Sequence, residues 1–338
     1  MPVVTRSEVL PTHTPQLFKQ AVERAAAALR EGDVVAVPTE TVYGLAANAL
    51  NPSAVARIYE LKNRPAHNPI IVHVAGLDMA RRCVAEWPQT AERLADAFWP
   101  GPLSLVLRRA PGIPPIVTAG GPTVAVRWPS HPFIQELIRA CGFPIAAPSA
   151  NPANQLSPTT ADHVERLMGN RLRLIVDGGP AQVGIESTVL DLTVAPPRVL
   201  RPGIIHEIAI RSVIGDVGSG GAAEGTLKSP GLLRRHYAPK APLIVISWKD
   251  DADLLAQLRV RTSDLNRCHV LAHLRVPLNV PARVSVIPHD PEAFARAIYA
   301  ELHRCDEEGA GLIAVEAPPD RAEWHAIADR LRRAAASP

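Results

Sequence analysis

Cysteine is scarce in this chain and poorly placed for chemistry: its four cysteines are Cys83, Cys141, Cys268 and Cys305, and no two form a C-x-x-C pair. Such spacing argues against a disulfide framework or a zinc site and fits scattered reduced thiols in a cytosol. No apolar run approaches the ~18 residues of a membrane span, and the opening MPVVTRSEVLPTHTP lacks the apolar core of a signal peptide. Both absences lead us to expect a cytoplasmic protein with no membrane segment. G-x-x-x-x-G-K-[ST] is missing, so any ATP is not held by a P-loop. With no G-x-S-x-G and no histidine pair at zinc spacing, nothing suggests hydrolase or metalloprotease chemistry. Aromatic residues are only 4%, too few to interleave with bases as a main role, and the net charge of +3 is mild. Lysine is rare: Lys19, Lys62, Lys228, Lys240 and Lys249 are the only lysines among 36 basic residues, which singles out each position.

What is present is the composition of a globular protein, 47% hydrophobic and 20% charged, and 338 residues favour two domains over one core. The 34 prolines imply short, sharply bounded segments. Thr14 as N-cap, Pro15 at the first position and Gly32 beyond the end mark a first helix. Val34 to Val37, closed by Pro38, reads as a buried strand, and a second helix begins after Asn51-Pro52. Further strands are expected at Ile70–Val74, Leu103–Leu107, Val124–Arg127, Ile145–Pro148, Leu172–Val176 and Thr188–Leu192, with helices at His131–Ala140 and Thr160–Leu167. This half is therefore mixed α/β or α+β. The low-complexity stretch DVGSGGAAEG, 216–225, reads as a linker, and its passing likeness to G-x-G-x-x-A lacks the flanking strand and helix of a dinucleotide fold. Beyond it, apolar runs at Leu243–Ile246, His269–Ala272, Val284–Ile287 and Leu312–Val315 alternate with helices at Asp251–Leu258, Pro291–Cys305 and Arg321–Ala334. That alternation predicts a small doubly wound parallel sheet.

Polar residues cluster on three loops. Pro38-Thr39-Glu40-Thr41-Val42-Tyr43-Gly44-Leu45 follows a strand, where open α/β sheets hold ligands, although its hydroxyls could equally cap the next segment. Lys62-Asn63-Arg64-Pro65 sets a point charge and a bidentate fork two residues apart. Prolines would hold this segment extended and exposed, and the competing reading is charge complementing a helix C-terminus. Ser149-Ala150-Asn151 offers uncharged donors and acceptors, or merely a turn before Pro152. Arg127 and Arg201 lie amid apolar strand residues and need an anionic partner, either a protein carboxylate or a ligand.

Taken together and in order, PTETVYGLAANAL, LKNRPAHNPIIVHV, FWPGPLSLVL, VAVRWPSHP, PSANPANQLSPTT and IESTVLDL resemble the YrdC-like threonylcarbamoyl-AMP synthases. LRPGII, SPGLLRRHYAPKAP and the ending ADRLRRAA extend the likeness to that family's two-domain form. The resemblance implies a YrdC-like twisted mixed-sheet α/β catalytic domain over 1–214, a linker and active-site lid over 215–240, and a Rossmann-like domain over 241–338. It implies L-threonine, bicarbonate or CO2, and ATP with Mg²⁺ as reactants, serving tRNA threonylcarbamoyladenosine synthesis through a downstream tRNA threonylcarbamoyl transferase. By motif, Lys62 and Arg64 would contact the triphosphate and carry catalysis. Asn68, Thr123, Ser149, Asn151, Ser157, Arg201 and Tyr237 would hold the nucleotide. Thr41, His73, Arg127, the Ala147 carbonyl and Ser187 would hold threonine, with Arg127 on its carboxylate. His73, without the resemblance, reads as a satisfied core histidine. The four basic side chains between Lys228 and Lys240 and the intervening Tyr237 would form the lid, against the alternative of a solvated linker. Two other readings compete: a module with weak RNA binding, and the carbamoyl-phosphate-using maturation enzymes, which are longer and carry zinc-finger cysteines absent here.

Overall fold

The computed structural model describes residues 6–218 and 237–336. They fall into two compact units, one holding the residues up to Ala153 and from Ser157 to Gly218, the other Asn154–Leu156 with the residues from Tyr237 onward.

The first unit runs β1 (Glu8–Pro11), α1 (Pro15–Arg30), β2 (Val35–Val37), β3 (Gly44–Asn48), α2 (Pro52–Lys62), β4 (Val72–His73), α3 (Leu77–Cys83), α4 (Gln89–Phe98) and β5 (Leu103–Arg108). It continues with β6 (Thr123–Arg127), α5 (Pro132–Cys141), β7 (Ile145–Ala146), α6 (Ala161–Met168), β8 (Leu174–Asp177), β9 (Thr188–Asp191), β10 (Arg198–Arg201) and α7 (Glu207–Ile214). The expected caps form: Thr14 accepts the Leu17 N–H at 3.2 Å, and Asn51 accepts those of Ser53 and Ala54. The strands make one mixed ten-stranded sheet in the order β1-β8-β2-β3-β7-β4-β6-β5-β9-β10.

Strand alternation decides where the site can lie. Val72, Val124, Val126, Leu103, Leu105 and Leu107 face the larger core, beneath α2, α3, α4, α6 and α7. On the opposite face α1 and α5 cover only the β1-β8-β2-β3-β7 half, with Phe18 packed edge-on against Phe133. Over β4, β6, β5 and β9 that face carries a small apolar cluster of Ile71, Val106, Ala125 and Val189. Among the other positions of the same alternation, His73, Ser104, Thr123 and Arg127 are polar and buried.

Several expectations change. Gly44 and Leu45 are not loop but the start of β3, a strand hidden by its Gly-Ala composition, paired with β2 as a hairpin. β1 is a short edge strand whose pattern gave no alternation signal. Residues 216–218 are not linker: Val217 is in the main core, and the Gly218 N–H donates to Pro197 O at 2.8 Å. The rest of the Gly-rich stretch lies outside the described residues.

The second unit comprises β11 (Leu243–Ile246), α8 (Asp251–Arg259), β12 (Cys268–Ala272), β13 (Arg283–Val286), α9 (Pro291–Glu307), β14 (Leu312–Glu316) and α10 (His325–Ala334). Its four strands are all parallel, in the order β11-β14-β12-β13. The expected helix from Arg321 opens instead with a single 3₁₀ turn, Ala322–Trp324. Val284 and Val286 are exposed rather than core, because β13 is an edge strand. Glu316, at the carboxyl end of β14, accepts the N–H groups of His273, Leu274 and Arg275 and so fixes the turn after β12.

Candidate active site

Lys62 and Arg64 are not on an exposed, extended loop. Lys62 is the last residue of α2 and is 1% exposed, and Arg64 is 8% exposed. Asn63 adopts the left-handed conformation (φ 49°), and the Arg64 N–H returns to Tyr59 O at 2.9 Å, so the chain reverses and folds both side chains inward. The ammonium of Lys62 ignores its own helix end and donates to Ser149 O and Asn151 O, each at 2.5 Å. Arg64 donates to Asn68 O (3.0 Å) and Pro69 O (2.7 Å), stitching the 64–69 loop. Burial, then the neighbouring Arg64, hold the Lys62 pKa well below its ordinary value, with Glu186 pulling the other way. The hydrogen bonds from Lys62 to Ser149 O and Asn151 O and from Arg64 to Asn68 O and Pro69 O all go to neutral carbonyls.

Arg127, whose partner the sequence left open, faces a protein carboxylate: Nη2 lies 2.6 Å from Glu40 Oε1, with both side chains buried. Its Nε donates to Gly101 O (3.2 Å) and Nη1 to Thr41 Oγ1 (3.0 Å). The loop hydroxyls also act as caps, since Thr39 Oγ1 accepts the Thr41 and Val42 N–H groups. His73 is the register partner of Arg127 on β4. It is not a fully satisfied core histidine, because its Nδ1 has no hydrogen-bond partner among the described residues. Burial and then the Arg127 charge drive its pKa to about 3, so the ring is neutral at physiological pH.

Arg201 meets Ser187: Nε donates to Ser187 O and Nη2 to Ser187 Oγ, both at 3.0 Å. A bulge between Val199 and Arg201 turns that side chain inward. Ser187 Oγ is 2.9 Å from Ser104 Oγ, and Ser157 Oγ donates to Glu186 Oε1 at 2.6 Å. The segment leading to Ser187 joins these groups, because the Val183 and Gly184 N–H groups donate to Glu40 O and Thr41 O. Gly203 must lack a side chain here, since a Cβ would sit 2.3 Å from the Thr188 nitrogen.

The structure thus brings together Thr41, Lys62, Arg64, Asn68, His73, Arg127, Ser149, Asn151, Ser157, Ser187 and Arg201, with Ala147 bonded through its N–H to Ile71 O. Thr123 lies on the same strand as Arg127, four residues before it and about 13 Å along. Tyr237 lies in the second unit, its ring 6.0 Å from that of Tyr299 with the Arg330 guanidinium 5.4 Å above it. Sequence reading placed Glu40 in a polar loop but gave it no role, and passed over Glu186 and Ser104. Glu186 carried a signal, an acid between an apolar residue and a hydroxyl in IES; Ser104, inside an apolar strand, carried none.

Below about pH 6.5 the unfolded chain's imidazole takes up a proton that folded His73, with a pKa of about 3, refuses. The stability tied to this group is complete above the unfolded pKa and falls as pH drops from there towards 3, by on the order of 2 kcal/mol at about pH 5. His73→Gln should therefore narrow the gap in thermal midpoint between about pH 7.5 and pH 5. An unchanged gap would mean that His73 is not held neutral.

Four buried cations (Lys62, Arg64, Arg127, Arg201) against two buried carboxylates (Glu40, Glu186) on an α/β sheet define a site for an anionic substrate, in an enzyme that works by positioning and charge. Comparison with known proteins gives the class its family. Residues 27–203 match the family described as Telomere recombination, and 205–336 match the Threonylcarbamoyl-AMP synthase, C-terminal domain. The Threonylcarbamoyl-AMP synthase of Pyrococcus abyssi is 40% identical over 320 residues, covering 92% of each chain. That of Bacillus subtilis is 40% identical over 345 residues, covering 97% of this chain and 95% of its own. The crystal structure of P. abyssi Sua5 complexed with L-threonine superposes with a TM-score of 0.88 at 37% identity, covering 98% of both chains. Escherichia coli YciO matches 59% of this chain and 96% of its own, with a TM-score of 0.52 at 25% identity. The chain belongs to the threonylcarbamoyl-AMP synthase family and is an adenylyl-transferring enzyme. Among the described residues no helix is long and apolar enough to cross a membrane.

Proposed function

We propose that this buried cationic cluster is where the chain joins L-threonine, bicarbonate or CO2, and ATP into L-threonylcarbamoyladenylate and pyrophosphate, the activated intermediate for tRNA threonylcarbamoyladenosine. The excess of buried positive charge carries the reading. Threonine's amine captures CO2 as a carbamate, and a carbamate oxygen attacks the α-phosphorus and expels pyrophosphate. The carbamate is already an anion, so the protein need supply no nucleophile, only alignment and positive charge. Lys62 and Arg64 take the triphosphate, exchanging carbonyl partners for phosphate oxygens. Asn68, whose Oδ1 is buried without a partner among the described residues, and Ser149, Asn151, Ser157, Arg201 and Thr123 hold the nucleotide. Thr41, His73, Ser187 and the Ala147 carbonyl hold threonine, with Arg127 on its carboxylate.

Mg²⁺ is bound chiefly through substrate phosphates, and the buried carboxylate Glu186 would be the residue of this site to hold it. Among the described residues no group of three or more histidine, cysteine or acidic side chains could hold a metal ion. When bound, Mg²⁺ would neutralise phosphate charge. The test is pyrophosphate release with ATP, bicarbonate and each amino acid in turn. Release that depends on threonine supports the reading, and release indifferent to the amino acid refutes it.

The lid stays part of the proposal, although most of 228–240 lies outside the described residues. Tyr237 is packed against Tyr299 and Arg330, so Tyr237→Ala should lower thermal stability by about 3 kcal/mol or more, from lost aromatic burial. A lid predicts, in addition, weaker ATP binding and faster hydrolysis of the adenylate. Lower stability with unchanged ATP affinity and adenylate lifetime would reduce Tyr237 to an anchor.

A further inference from the structure

Glu40 has no task in the chemistry above, yet its carboxylate is 2% exposed in the turn between β2 and β3. Its main chain is fixed by the Val183 N–H on Glu40 O at 2.7 Å. Oε1 approaches Arg127 Nη2 to 2.6 Å, but neither carboxylate oxygen receives an aligned hydrogen bond among the described residues. The guanidinium spends its aligned N–H groups on Gly101 O and Thr41 Oγ1. Glu40 also acts on His131, whose ring accepts the Phe133 N–H through Nδ1. A buried carboxylate with several lone pairs and no aligned donor is costly, and a counter-ion serving only to orient Arg127 would be better placed bonded to it.

The missing donors match one half of an amino acid. Its α-ammonium and α-carboxylate hang from one carbon, with nitrogen and oxygen about 3 Å apart by bond geometry. Glu40 and Arg127 present the complementary charges at a similar separation. We propose that Glu40 and Arg127 read the substrate as a zwitterion, Arg127 binding the α-carboxylate while Glu40 binds the α-ammonium and accepts its proton. The inference rests on the function proposed above. One ammonium N–H bond breaks and a Glu40 O–H forms, leaving the nitrogen lone pair to attack the carbon of CO2. An N–C bond forms as one C=O pair moves onto oxygen. The proton on Glu40 is consumed in dehydrating bicarbonate to CO2 and water, and the second proton leaves the nitrogen for solvent as the carbamate forms. The sum is bicarbonate plus ammonium giving carbamate, water and one proton.

The test compares calorimetric binding of L-threonine with that of its analogue bearing a hydroxyl in place of the α-amine, in the wild type and in Glu40→Gln. The wild type should prefer threonine by roughly tenfold or more, the scale of a charge-assisted hydrogen bond. Glu40→Gln should lose that preference while binding the hydroxy acid about as well as the wild type does. A preference that survives in Glu40→Gln, or equal weakening of both ligands, would make Glu40 only a counter-ion of Arg127 and overturn the inference. Should the variant fail to fold, the wild type alone decides against it if both ligands bind alike. A wild type that binds no threonine brings down the functional reading and this inference with it.

Discussion

Lys62→Met should cut threonine-dependent pyrophosphate release by roughly tenfold to over a hundredfold, the 1.5–3 kcal/mol of a charge-assisted contact to phosphate. Methionine nearly matches the lysine stem in volume, so the loss is of charge rather than packing. The variant should also lose about 1–3 kcal/mol of stability, because Ser149 O and Asn151 O each lose a buried donor at 2.5 Å. A merely structural lysine would show the second effect without the first. Near-normal turnover by a folded but less stable variant would therefore remove Lys62 from the chemistry.

Arg127→Ala should be worse on both counts. It strands Glu40 as a buried carboxylate whose one ion-pair partner among the described residues, at 2.6 Å, is gone, a situation that typically costs about 3–5 kcal/mol. Arg127→Lys separates the roles, because it keeps the charge facing Glu40 but loses the planar fork that matches a carboxylate. Its KM for threonine should rise more than its KM for ATP. A rise confined to ATP would place Arg127 on the wrong ligand.

The helices and most strands were legible because their signals are local: Thr14 and Asn51 cap as their side chains dictate, and Gly32 takes the left-handed turn after α1. β3 was not legible, because Gly-Leu-Ala-Ala-Asn owes its strand state to pairing with β2 and β7 rather than to propensity. The site divides the same way. Lysine and arginine around a helix end mark charge, but their burial depends on Asn63 reversing the chain and on carbonyls 87 and 89 residues away. Glu40 was given no role and Glu186 was passed over because an acid near hydroxyls looks like any solvated turn until the sheet face behind it is seen to be uncovered by helices. The Arg201 serine contact depends on a bulge that no residue pattern announces.

The central claim is tested most directly by incubating the protein with ATP, carbon-13 bicarbonate and L-threonine and examining the products by mass spectrometry. The account predicts threonylcarbamoyl-AMP carrying the heavy carbon in its carbamoyl group, formed with one pyrophosphate and absent when threonine is omitted. Cleavage of ATP to ADP and phosphate, or an adenylate that forms without the labelled carbon, would contradict it.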